Sequence, residues 1–154
     1  MATFGTFVDG ESLKASELNT LLVRTSFTPT VRQSNVMTLA VANRVGFYQQ
    51  VNKVVFCQIN AVIESTGVSN NRVEVTLPVT AATNSVRVIG SGYLEDDSTN
   101  DVLRVAVVQV STTRAALLAQ DSTSLTTYLG QTGGPTFTFA IGDSIGLNFV
   151  YEAA

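Results

Sequence analysis

The chain has no histidine and no tryptophan, a single cysteine and only two lysines in 154 residues. Each scarcity excludes something. Without histidine there is no usual general base, no commonest metal ligand and no Ser-His-Asp or Cys-His arrangement. Cys57 alone allows no intramolecular disulfide and leaves the redox compartment open. Its place in the apolar run Val54-Val55-Phe56-Cys57 marks it as a buried, inert thiol. Neither Lys14 nor Lys53 lies in a Gly-x-x-x-x-Gly-Lys phosphate loop, and the glycines at 90–92 and 130–134 lack the strand-to-helix context of a dinucleotide site. The residues therefore argue against an enzyme and call for no cofactor.

Charge is scarce too. Charged residues are 14% of the chain, against about 25% in ordinary soluble domains. Nine basic and twelve acidic residues give a net charge of −3. No basic stripe exists to attract nucleic acid or an anionic membrane. No apolar run reaches the ~18 residues of a membrane span, Arg104 interrupting the best candidate. Asp9 and Glu11 stand where a signal peptide would be basic and then apolar. These features predict a protein made in the cytoplasm, without membrane insertion.

What is present is 45% hydrophobic residues, with Thr, Ser, Asn and Gln in place of the missing charge. That composition excludes disorder. It suits a single domain burying roughly 70% of its unfolded surface, or one that hides surface in an assembly.

The first 25 residues differ from the rest. Residues 1–10 read as an extended Phe-, Gly- and Thr-rich arm closed by Asp9-Gly10. Leu13, Leu18, Leu21 and Leu22 then fall on one side of a short helix over Lys14 to Val23. A helix that short must dock on something. With Phe4, Phe7 and Val8, these leucines are the candidate assembly and anchoring residues.

From residue 26 to 154 the pattern is strand and turn. Strands are predicted at Val36–Ala42, at Val45–Val51 and Lys53–Glu64 joined near Asn52, and at Arg72–Val79 with Val73, Val75 and Leu77 on one face. Further pairs are Val86–Leu94 with Val102–Val110, and Thr136–Ile141 with Ser144–Tyr151 around Gly142-Asp143. Ala115 to Tyr128 reads as an irregular connection. About eight short strands with such turns predict an antiparallel β-sandwich of jelly-roll type. Val105-Ala106-Val107-Val108 asks for cover on both faces, from a thick core or from a second subunit.

One charged constellation stands out: Glu95, Asp96, Asp97, Asn100 and Asp101, a candidate surface-contact loop. Its oxygens are of the type that ligates Ca²⁺, but the spacing is not that of an Asp-x-Asp-x-Asp-Gly loop, and turn chemistry explains the same residues. Tyr48, Tyr93, Tyr128 and Tyr151 would serve as core or rim, or as a sugar-stacking surface.

Two stretches resemble bacteriophage virion proteins, particularly tail-fibre and minor-tail proteins. Phe7-Val8-Asp9-Gly10-Glu11-Ser12-Leu13-Lys14-Ala15-Ser16-Glu17-Leu18-Asn19 is similar to an opening that attaches such subunits to their assembly. Arg44 to Val55, then Leu77-Pro78-Val79-Thr80-Ala81, then Gly142 to Ala153 resemble, in that order, a β-sandwich domain at the ends of phage tail proteins. Asn52 stands in place of the family's turn glycine, and Phe47 in place of an arginine before the tyrosine.

The resemblance implies a structural virion subunit whose arm contacts major capsid or tail proteins; the scarce charge, the leucine-striped helix and the doubly apolar strand point to self-association as a homotrimer. With so short an arm before the sandwich, a capsid cement (decoration) protein fits as well as a short tail fibre. The alternative it leaves is a tail module that binds host surface glycan.

Overall fold

A computed structural model describes residues 23–33, 39–83, 88–119, 128–130 and 136–154. The fold is all-β, with no helix among these residues. Its strands are β1 (Thr25–Phe27), β2 (Val31–Gln33), β3 (Val41–Val51), β4 (Val54–Ile63), β5 (Val73–Thr76), β6 (Val88–Asp96), β7 (Asp101–Gln109), β8 (Arg114–Ala119) and β9 (Ser144–Glu152). All nine hydrogen-bond into one antiparallel sheet in the order β1-β3-β4-β9-β6-β7-β8-β5-β2. The arm and helix expected before residue 23 lie outside the described residues; Val23 itself is exposed and in neither helix nor strand.

The topology requires the sheet to curl. β1 and β2 are its two edges, yet only Thr28, Pro29 and Thr30 separate them in sequence. Four residue steps reach at most about 14 Å. A flat sheet would hold edges eight strand spacings, about 38 Å, apart. The sheet is accordingly bent into a half-barrel, helped by irregularities at Ala42/Val45, where Asn43 is left-handed (φ 46°), and at Val88/Gly90.

Period-2 alternation fills the concave side. Val55, Cys57, Ile59, Ala61 and Ile63 of β4 and Ile145, Leu147, Phe149 and Tyr151 of β9 point inward. They join Val73 and Val75 of β5, Val105 and Val107 of β7 and Leu117 of β8 in one buried cluster. Strands from both edges of the sheet thus share one core.

Two expectations are corrected, and one alternative left open by the sequence is decided. Arg114–Ala119 is a strand, with five successive buried residues. Thr136–Ala140 forms no strand, although Phe137 and Phe139 alternate inward; its carbonyls instead accept from Gln33 Nε2 (2.9 Å, to Phe137) and Gly67 N–H (2.7 Å, to Phe139). β9 accordingly pairs with β4 and β6. The double cover demanded by β7 comes from within the chain: Val108 is buried against Ala116 and Leu118, with Ala106, Val110 and Tyr128 packed around them.

Candidate functional site

The convex side of β3, β4, β9 and β6 is open. Cross-strand register lines up Gln49, Phe56 and Val150 in one row and Phe47, Gln58, Asn148 and Ser91 in the next. These residues border a shallow depression of about 390 Å³. Phe56 is 49% exposed, and Val54 and Val150 are each 42% exposed. Arg24, just before β1, reaches over this face: its Nη2 donates to Gln58 Oε1 (3.0 Å) and its guanidinium lies 4.4 Å from the Phe47 ring centroid. A cation held over a ring and against an amide is fixed in place.

The floor is sealed. Gly90 allows β6 to close on β9, since a Cβ there would sit 2.5 Å from Phe149 Cα. Cys57 beneath is 5% exposed, and burial pushes its thiol up to about 12. It is a neutral thiol at ordinary pH, not a nucleophile. Rings, amides and a permanently charged guanidinium equip the face for contact rather than for proton transfer.

The sequence-predicted surface loop is the β6–β7 turn. Asp96 Oδ1 accepts from the Ser98 backbone N–H (2.9 Å) and hydroxyl (2.6 Å), which holds its carboxyl below the usual range. The Asp97 N–H donates to Asp143 Oδ1 (3.2 Å), and Ala140 N–H to Asp143 Oδ2 (2.8 Å), so buried Asp143 ties the turn to the loop before β9. Asn100 is left-handed, and the Ser144 hydroxyl donates to Glu95 Oε2 (3.0 Å). Glu95, Asp97 and Asp101 are exposed. Among the described residues, no three acidic or cysteine side chains are grouped to hold a metal ion.

No family model, curated protein or solved structure matches this chain.

Two segments singled out in the sequence, residues 77–81 and 142–153, meet in space. The Tyr151 hydroxyl donates to the Val79 carbonyl (2.9 Å) and accepts from its N–H (3.1 Å); Ala81 bridges Ala153, and Ala154 N–H donates to Thr80 O (3.0 Å). They close one end of the core. The four tyrosines form no common surface. Tyr151 is buried, Tyr48 packs edge-on to Phe27 with ring centroids 6.0 Å apart, Tyr128 covers Leu118, and Tyr93 lies half-exposed across Gly146.

Phe4, Phe7, Val8, Leu13, Leu18, Leu21 and Leu22 lie outside the described residues. Sequence reasoning missed Phe56, Val150 and Arg24. The signal for Phe56 was available: once Val55 and Cys57 face inward, it must face out. Arg24 carried none, being 34 positions from the glutamine it meets.

Proposed function

We propose that this chain is a structural, non-catalytic subunit of a tailed-phage virion, self-associating as a trimer on the particle surface. It serves there as a capsid cement protein or a short tail-fibre subunit. The observation that carries the reading is the open convex face around Phe56, Val54 and Val150, which the rest of the described chain leaves uncovered. Side-by-side exposed apolar residues on a rigid sheet are typical of surfaces that a partner covers. The resemblance of residues 7–19, 44–55, 77–81 and 142–153 to phage tail proteins supplies the particle.

In this reading the curled sheet is a sandwich of jelly-roll type, its β1-β3-β4-β9 part folded over the remainder, a closure favoured by the short β1–β2 link. The segment bearing Phe4, Phe7, Val8 and the leucines anchors the subunit to major capsid or tail proteins.

Light scattering on the purified chain at micromolar concentration tests the reading. The expected mass is three times that of the 16.4 kDa chain; a stable monomer overturns it. A second reading, a host-glycan-binding tail module, is favoured by the exposed Phe56 ring and Asn148 amide of the depression, which suit sugar C–H faces and hydroxyls. Binding on a glycan array, lost in Phe56→Ala, would select it.

A further inference from the structure

The chain's few charges are unevenly placed. On the convex face of β2, β5 and β8, Arg32 stands opposite Glu74 in register, Arg72 lies two residues before Glu74, and Arg114 projects from the adjoining strand. Glu74 pairs with Arg72 and Arg114, and its side chain is 1% exposed. Its Oε1 takes Arg72 Nε and its Oε2 takes Arg114 Nη1 (2.9 Å). Arg72 also lies 5.5 Å from the Tyr128 ring centroid. The buried carboxylate and the ring therefore fix guanidiniums whose side chains remain 36% and 30% exposed. Arg32 has no ion pair among the described residues.

At the β6–β7 turn the opposite sign collects. Glu95, Asp97 and Asp101 are exposed and make no ion pair among the described residues, and the turn is fixed through Asp143. In a protein where charge is rare, Arg32 on one region and Glu95, Asp97 and Asp101 on the other make no ion pair among the described residues, and each lies beside a fixed backbone or paired guanidinium, so the two regions are complementary in charge.

We infer that the two regions are partners between copies: the Glu95–Asp101 turn of one chain docks on the Arg32–Arg72 face of another. This rests on the self-associating reading above and deepens it, naming a contact that joins different patches on neighbouring subunits, as a closed ring requires.

The experiment is sedimentation velocity of the full chain in about 0.1 M and about 1 M NaCl, between which the screening length falls from about 10 Å to about 3 Å. High salt is expected to weaken wild-type association on the order of tenfold, and Arg32→Glu or Asp101→Arg to do the same at low salt. The double variant, in which every copy carries both reversed charges, is expected to recover most of the loss. Neither position is buried or ion-paired among the described residues, and circular dichroism confirms that each variant folds. Assembly indifferent to salt and to Arg32→Glu overturns the inference while leaving the subunit reading in place. A wild-type monomer at low salt overturns both. A monomer that retains a heparin oligosaccharide, and loses it in Arg32→Glu, assigns the arginine face to an anionic glycan instead and overturns the second-copy contact.

Discussion

The two wings of the sheet are alike inside and opposite outside. β4 and β9 bury every inward residue from Val55 to Ile63 and from Ile145 to Tyr151 but leave Phe56, Val54 and Val150 exposed on the other side. β7, β8, β5 and β2 bury the same kind of concave face, yet the middle of their convex side is buried too, with Val108, Ala116 and Leu118 packed near Tyr128 and Glu74 sunk between partly exposed arginines. A strand's alternation says which residues point away from the core, and nothing about what then meets them. Where the chain supplies cover, as at Val108 and Glu74, the outward residues serve stability; where it does not, as at Phe56 and at the rim of Arg32 and Arg72, they are open to contact.

The largest blow to this contrast falls on the covered wing. Arg114→Met removes one of two cations from a buried carboxylate, and stranding a buried charge costs about 3–5 kcal/mol. Because Arg72 stays, the lower end, about 3 kcal/mol, is expected from urea denaturation. Adding Glu74→Met should return much of it, since a well-packed apolar pair often replaces a buried ion pair without loss. If Arg114→Met costs nothing, Glu74 is not sealed and the wings differ less than their burial indicates.

Glu74 also marks where sequence reading reaches its limit. The period-2 pattern of residues 72–77 places it on the face opposite Val73 and Val75, which is correct, but nothing local shows that face to be buried. The hairpins were legible because alternation and turn residues agree: Asn52 and Asn100 are both left-handed where strands reverse. β8 was not, because Ala115-Ala116-Leu117-Leu118-Ala119 is apolar at every position. A strand covered on both sides loses its alternation and looks like a helix. Thr136–Ala140 misled in the other direction, since its alternation reports the burial of Phe137 and Phe139 and not a hydrogen-bonded ladder. The acidic turn was found as a loop, while the open face was missed because it exists only once β3, β4 and β9 are in register.

A matched pair of truncations compares the wings directly. Leu118 is 8% exposed and Phe56 is 49% exposed. Leu118→Ala should cost about 2–3 kcal/mol through lost burial and an unfilled cavity. Phe56→Ser should change the stability of the dilute chain by no more than about 0.5 kcal/mol, yet reduce self-association measured by light scattering. A Phe56→Ser chain that unfolds readily while assembling normally would reverse the assignment of the open face.

The smallest effect concerns whether the open wing is open only on its outside. Cys57 lies beneath the depression, its thiol raised by burial from 9.0 to about 12. The folded chain thus holds this proton after the unfolded chain has released it. The stability this contributes is complete below pH 9, and is lost as pH rises from 9 towards 12. Tyr151, raised from its ordinary 10.0 chiefly by burial, steepens the same alkaline decline. Cys57→Ala should flatten the part that begins near pH 9, read as the change in urea midpoint with pH. Near neutral pH a disulfide reagent should label native Cys57 only as fast as the sheet opens. Rapid labelling of the folded chain would mean that the depression reaches through the sheet. The face around Phe56 would then be the mouth of a cavity and not a surface for a partner.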